Sequence, residues 1–77
     1  MIGKVPPMSI WSTDYRSFLQ KLKQARVQIN LTQIQVAKKL NKKQSYISKC
    51  ESGERRVDIA EVKKFAQIYK KPISYFV

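Results

Sequence analysis

Gln44, Ser45, Ser48 and Lys49 lie within six consecutive positions and offer an amide, two hydroxyls and an ammonium. That set is suited to making hydrogen bonds rather than to breaking covalent ones. A Gln amide can bond bidentately to adenine, a Lys ammonium to the acceptors of guanine, and a serine hydroxyl to either. Ile47 and Cys50 are interleaved with them, three apart, as one helix face requires. The pattern predicts a helix from Gln44 to Ser52 that stops before Gly53, buries one side and shows a polar side. That is the profile of a helix that reads a DNA major groove.

Such a helix needs a scaffold, and the preceding residues supply one. Thr32 is a good N-cap for a helix running to Leu40, because its hydroxyl can accept from a free first-turn amide. Val36, Ala37 and Leu40 share one face of that helix, and Ile34 is a further apolar residue on it. Asn41 tolerates the left-handed conformation of a sharp helix exit. Upstream, Ser12-Thr13-Asp14 caps a helix expected from about Asp14 to Gln28. Its apolar stripe is Tyr15, Phe18, Leu19, Leu22, Ala25 and Ile29, and Asn30 ends it. Leu31 then packs inward.

Downstream, Asp58 and Glu61 form the start of a capping box, and Ile59, Val62, Phe65, Ala66 and Tyr69 recur at steps of three and four. Lys70 and Lys71 suit the negative end of that helix's dipole. Pro72 suits the first position of a short last helix, Ile73 to Val77. Residues 1–11 contain Gly3 and Pro6-Pro7 and read as an extended arm, with Trp11 packing on the outside of the first helix. No stretch alternates as a strand does. The expected architecture is all-α: an arm over residues 1–11 and a compact bundle of five short helices over residues 12–77.

Composition bounds the function. Of 77 residues, 16 are Lys or Arg and 5 are Asp or Glu, giving a net charge of +11. Charge of that size and sign points to an anionic partner, with nucleic acid ahead of a membrane surface or an acidic protein. The basic residues never run more than two together, which fits a folded basic surface rather than a basic tail. The chain has no His, no paired carboxylates, no Gly-rich phosphate loop and no cluster of metal-ligand type, so no enzyme, cofactor or metal is expected. A single Cys cannot form an internal disulfide, and no apolar run approaches the ~20 residues that span a bilayer. A cytoplasmic protein is expected. Cys50 reads as a small buried hydrophobe rather than a redox sensor.

The residues together resemble the Cro and phage-repressor class of helix-turn-helix DNA-binding domains (the XRE family). Arg26, Leu31-Thr32-Gln33, Ala37, Leu40, Gln44 to Ser48 and Glu51-Ser52-Gly53-Glu54-Arg55 carry the likeness, which covers about Tyr15 to Phe76. The spacing is specific: Gln33 and Ala37 stand four apart, and Ala37 and Ile47 ten apart. The resemblance implies a lambda-repressor-like fold whose second and third helices form the helix-turn-helix. It also implies an ion pair between Arg26 and Glu51, base contacts by Gln44, Ser45 and Lys49 with Ser48 as a further candidate, and backbone contacts by Gln33, Lys43, Tyr46, Arg55 and Arg56. Lys42 departs from the pattern, standing where an apolar residue usually closes the turn; its stem can cover the gap while its charge reaches solvent.

A sequence-specific regulator of double-stranded DNA, acting as a repressor, is the function this implies. The partner is double-stranded DNA, bound as a homodimer through the fourth helix and residues 73–77. The competing use for that apolar end is to cap the monomer's own core. The competing function is an antitoxin-like or adaptor module of the same fold, with RNA binding third.

Overall fold

The computed structural model describes residues 13–76. The expected arm over residues 1–11, the packing of Trp11, the cap at Ser12 and the role of Val77 lie outside the described residues. Four α-helices follow one another: α1 (Thr13–Gln28), α2 (Gln33–Leu40), α3 (Gln44–Ser52) and α4 (Ile59–Tyr69). No strand occurs among the described residues. The fifth helix expected from Ile73 to Val77 is instead one 3₁₀ turn, Ile73–Tyr75, begun from Pro72.

Caps set most of these boundaries. Thr32 Oγ1 accepts from the Gln35 N–H while Gln35 Oε1 accepts from the Thr32 N–H, a reciprocal box that starts α2. Asp58 and Glu61 do the same for α4. Asn30 and Asn41 take the left-handed conformation that ends α1 and α2, and Gly53 ends α3 at φ 89°. α4 ends on Lys70, also left-handed at φ 59°. Its backbone N–H bonds the Ala66 and Gln67 carbonyls, but the lysine side chain lacks the short polar group with which Asn favours that conformation. Pro72 disfavours helix at Lys71, and the Lys71 N–H closes back on the Ala66 carbonyl at 3.0 Å. Lys70→Asn is therefore expected to raise stability by about 0.5–1 kcal/mol, read as a higher unfolding midpoint.

Phe18, Leu22 and Ala25 of α1, Val36 and Ala37 of α2, Ile47 and Cys50 of α3, and Val62, Phe65, Ala66 and Tyr69 of α4 make one core. Ala37 is a small buried residue of α2, the helix packed most extensively against α3. Two expectations need correction. Ile59, placed on the core stripe of α4, is 57% exposed, because the first residue of that helix projects beyond the packed layer. Phe76, offered to a dimer surface, is buried edge-on against Phe18 at 6.3 Å. The apolar end thus caps the monomer's own core, although Ile73 and Tyr75 stay only partly covered.

Tyr15 sews the loop before α4 to α1, its hydroxyl accepting from the Val57 N–H at 3.1 Å. The Tyr69 hydroxyl is buried and finds no hydrogen-bond partner among the described residues. Burial pushes its phenol well above its ordinary pKa. Tyr69→Phe is expected to leave stability unchanged or to raise it by up to about 1 kcal/mol, since it removes only an unpaired polar group. A clear loss in thermal unfolding would contradict this.

Candidate nucleic-acid interface

At ~100° per residue, positions 44, 45, 48 and 49 of α3 sweep an arc of about 140°. Ile47 and Cys50 fall on the opposite side and are fully buried. Gln44, Ser45 and Lys49 are exposed and Ser48 is half-buried. The helix therefore presents all four predicted base-reading residues on one continuous outward strip.

What holds the strip in place is a chain of polar contacts through three helices. Arg26, in the last turn of α1, grips Glu51 near the end of α3 with two bonds, Nε to Oε2 at 2.6 Å and Nη2 to Oε1 at 3.1 Å. Both side chains are nearly closed off, at 11% and 5% exposed. The hydrogen bond to Glu51 raises the Arg26 pKa further, so the guanidinium stays charged. Its Nη1 also donates to the Leu31 carbonyl at 2.9 Å, fixing the segment between α1 and α2.

The chain then continues to the surface. Gln33 Nε2 donates to Glu51 Oε1 at 3.0 Å, and Gln44 Nε2 donates to Gln33 Oε1. The polarity is forced from the inside. A carboxylate only accepts, so Gln33 must turn its NH₂ toward Glu51, and its oxygen is left to accept from Gln44. Gln44 then keeps one N–H and its carbonyl oxygen for an outside partner. The family resemblance implies a phosphate contact for Gln33. In the structure its amide is engaged by Glu51 and Gln44, which makes it the relay between the ion pair and the start of α3.

A second cluster lies on the other flank of α3. The Tyr46 hydroxyl donates to Glu61 Oε2, and Arg55 Nη2 forms a salt bridge to the same oxygen. The Arg55 guanidinium lies 4.9 Å from the Tyr46 ring centroid and Lys42 Nζ lies 5.1 Å from it, within cation–π range. The Lys42 ammonium thus rests on Tyr46, and the residue stays exposed at the turn. Burial and the bond to Glu61 push the Tyr46 phenol up to about 12. Burial works to raise the Glu61 carboxyl, but bonds from Tyr46, the Asp58 N–H and Arg55 outweigh it and hold the group below its ordinary value. Arg55 is in turn held above its ordinary range, first by its bond to Glu61. Neither Glu61 nor its link to Tyr46 was foreseen as part of the site; the only sequence signal for Glu61 was its place in the capping box.

Lys43 is the N-cap of α3 and gives no side-chain cap, unlike Thr32 and Asp58 on α2 and α4. It is exposed, as are Arg55 and Arg56. Arg56 lies 5.7 Å from the Tyr15 ring, farther back toward α1. Burial pushes the Cys50 thiol up to about 11, so at neutral pH it is an uncharged packing group. No group of three or more His, Cys, Asp or Glu able to hold a metal occurs among the described residues. No helix among them is long and apolar enough to cross a membrane.

The helix-turn-helix family model matches residues 22–76, a span that takes in Arg26, the whole of α2 to α4 and the 3₁₀ turn. No curated protein and no solved structure matches the chain. The match covers well over half of the sequence and contains both the Arg26–Glu51 pair and the α2–α3 unit, so the chain belongs to the Cro-type helix-turn-helix (XRE) family.

Proposed function

We propose that this chain is a transcriptional regulator that binds double-stranded DNA sequence-specifically and represses by occupying its site. It binds without a cofactor, in the cytoplasm. The observation that carries the reading is the relay Arg26–Glu51–Gln33–Gln44, which ends on an amide with one donor and one acceptor still open. That pair matches the N7 acceptor and N6 donor of adenine. Ser45, Ser48 and Lys49 extend the contact along the groove, with Lys49 directed at guanine acceptors. Lys43, Arg55 and Arg56 contact phosphates, which fix register and contribute salt-dependent affinity. Tyr46 contributes through its ring, which seats Arg55 and Lys42, because its hydroxyl is engaged by Glu61.

One α3 reads only a few base pairs, so a two-fold dimer on half-sites about 34 Å apart supplies the remaining affinity and length. With Phe76 buried, the surface open to a second copy is α4 with its exposed Ile59 and the partly covered Ile73 and Tyr75. Sedimentation at micromolar concentration is expected to give a dimer on a two-half-site duplex; a monomer with and without DNA would contradict this.

Selection of bound duplexes from a random pool, at fixed near-physiological salt, tests the main reading. A recovered consensus of a few base pairs, repeated with two-fold symmetry, is expected. A pool that stays random after several rounds would favour the protein-interaction alternative.

A further inference from the structure

Glu61 is the feature of this face that simple electrostatics does not explain. A surface meant for phosphates gains nothing from a carboxylate of its own, yet Glu61 stands against Tyr46 and Arg55, beside α3. Its charge is held in place by three donors. The Asp58 N–H bonds Oε1 at 2.9 Å, while the Tyr46 hydroxyl and Arg55 Nη2 both bond Oε2. Glu61 is 16% exposed and Arg55 46% exposed, so the anion is recessed and the cation stands in front of it.

We propose that Glu61 is a positioning residue for DNA binding: through Tyr46 it builds a rigid seat that presents the Arg55 guanidinium to a backbone phosphate. The inference rests on the DNA-binding reading above and deepens it.

The geometry supports this in three ways. Arg55 bonds Glu61 through Nη2 and holds its guanidinium 4.9 Å from the Tyr46 ring centroid, while 46% of the side chain remains exposed to an outside partner. Tyr46 cannot swing away, because its hydroxyl is tied to the same carboxylate oxygen. Lys42 also lies against the ring, its Nζ 5.1 Å from the centroid, so a second cation packs on the same seat. The long Arg55 side chain is thereby ordered before DNA arrives, which lowers the entropy lost on binding. The seat also ties α4 to α3, so the phosphate contact and the reading helix move as one body.

The test uses the whole chain and Glu61→Gln, with a short mixed-sequence duplex as probe, because a phosphate contact is independent of sequence. Gln keeps the capping role, as Gln35 does opposite Thr32, so unfolding midpoints should stay close. Removing a negative charge from a DNA-facing surface would by itself tighten binding. Positioning predicts the opposite sign: about three- to tenfold weaker binding near physiological salt. The loss should vanish when Glu61→Gln is made in an Arg55→Ala background.

Unchanged or tighter binding by Glu61→Gln would overturn the inference, as would an equal loss with and without Arg55. If the wild-type chain binds this duplex but selects no sequence from a random pool, the sequence-specific reading fails while the inference stands or falls on the two variants. If the wild-type chain binds no duplex at all, both fall.

Discussion

Arg26→Ala is expected to destabilise the domain by ~3–5 kcal/mol, which brings it close to the edge of unfolding at room temperature. A domain of this size starts with a margin on the order of 5 kcal/mol. The substitution removes both bonds to Glu51 and the bond to the Leu31 carbonyl, and strands the Glu51 carboxylate in a nearly closed pocket with Gln33 as its one remaining side-chain donor among the described residues. Added salt should recover little, since the pair is shielded from solvent. Denaturant unfolding measures the loss directly. A double replacement, Arg26→Met with Glu51→Leu, should restore most of the stability, because an apolar pair of similar size leaves no charge behind. It should not restore base preference, because Gln33 and Gln44 lose the anion that orients them. An Arg26→Ala variant with near-normal stability would show that the pair is dispensable to the fold.

Lys49→Ala is expected to cost ~1–3 kcal/mol on the preferred duplex and almost nothing on mixed sequence, so that one base position loses its preference. Arg55→Ala should behave in the opposite way. It should weaken binding to every duplex by a similar factor and lower the slope of log affinity against log salt by about 1. The contrast follows from position. Lys49 lies exposed on the outward strip of α3 and makes no ion pair among the described residues, whereas Arg55 lies beyond Gly53, clamped to Glu61 and Tyr46 at the flank. Measuring both variants across a salt series separates the two roles. If Lys49→Ala weakens all duplexes equally, it contacts phosphate and the base-reading assignment moves toward Gln44 and Ser45.

The α2–α3 unit was legible in the sequence because its boundaries are written in residue types with one dominant conformational preference. Thr32 caps, Asn41 and Gly53 turn left-handed, and both ends fall where those residues predict. The Arg26–Glu51 pair was legible only through family resemblance; nothing in helical periodicity links positions 25 apart. The relay from Gln33 to Gln44 was hidden because a surface glutamine can face solvent, phosphate or another amide equally well. Only the carboxylate buried behind Gln33 decides which. Glu61 was hidden for a related reason: its capping role explained its presence, and its second oxygen was left without an assignment. Ile59 was misplaced because an apolar residue in a helix's first turn satisfies the periodicity without reaching the packed layer. The 3₁₀ turn at Ile73–Tyr75 and the left-handed Lys70 follow from Pro72, a local constraint, together with the docking of Phe76 on Phe18, a tertiary demand that periodicity does not display.

In the proposed complex the outward strip of α3 reads bases while its flanks hold phosphates. The most direct test compares the wild-type chain with the combined Gln44→Ala, Ser45→Ala, Lys49→Ala variant, each titrated with the selected duplex and with mixed-sequence duplex at one salt concentration. The wild-type chain should prefer the selected duplex by ~10³-fold or more. The variant should fall to a ratio near one, with its mixed-sequence affinity reduced only modestly by the loss of one charge. A variant that keeps the wild-type preference would show that these three side chains do not read bases.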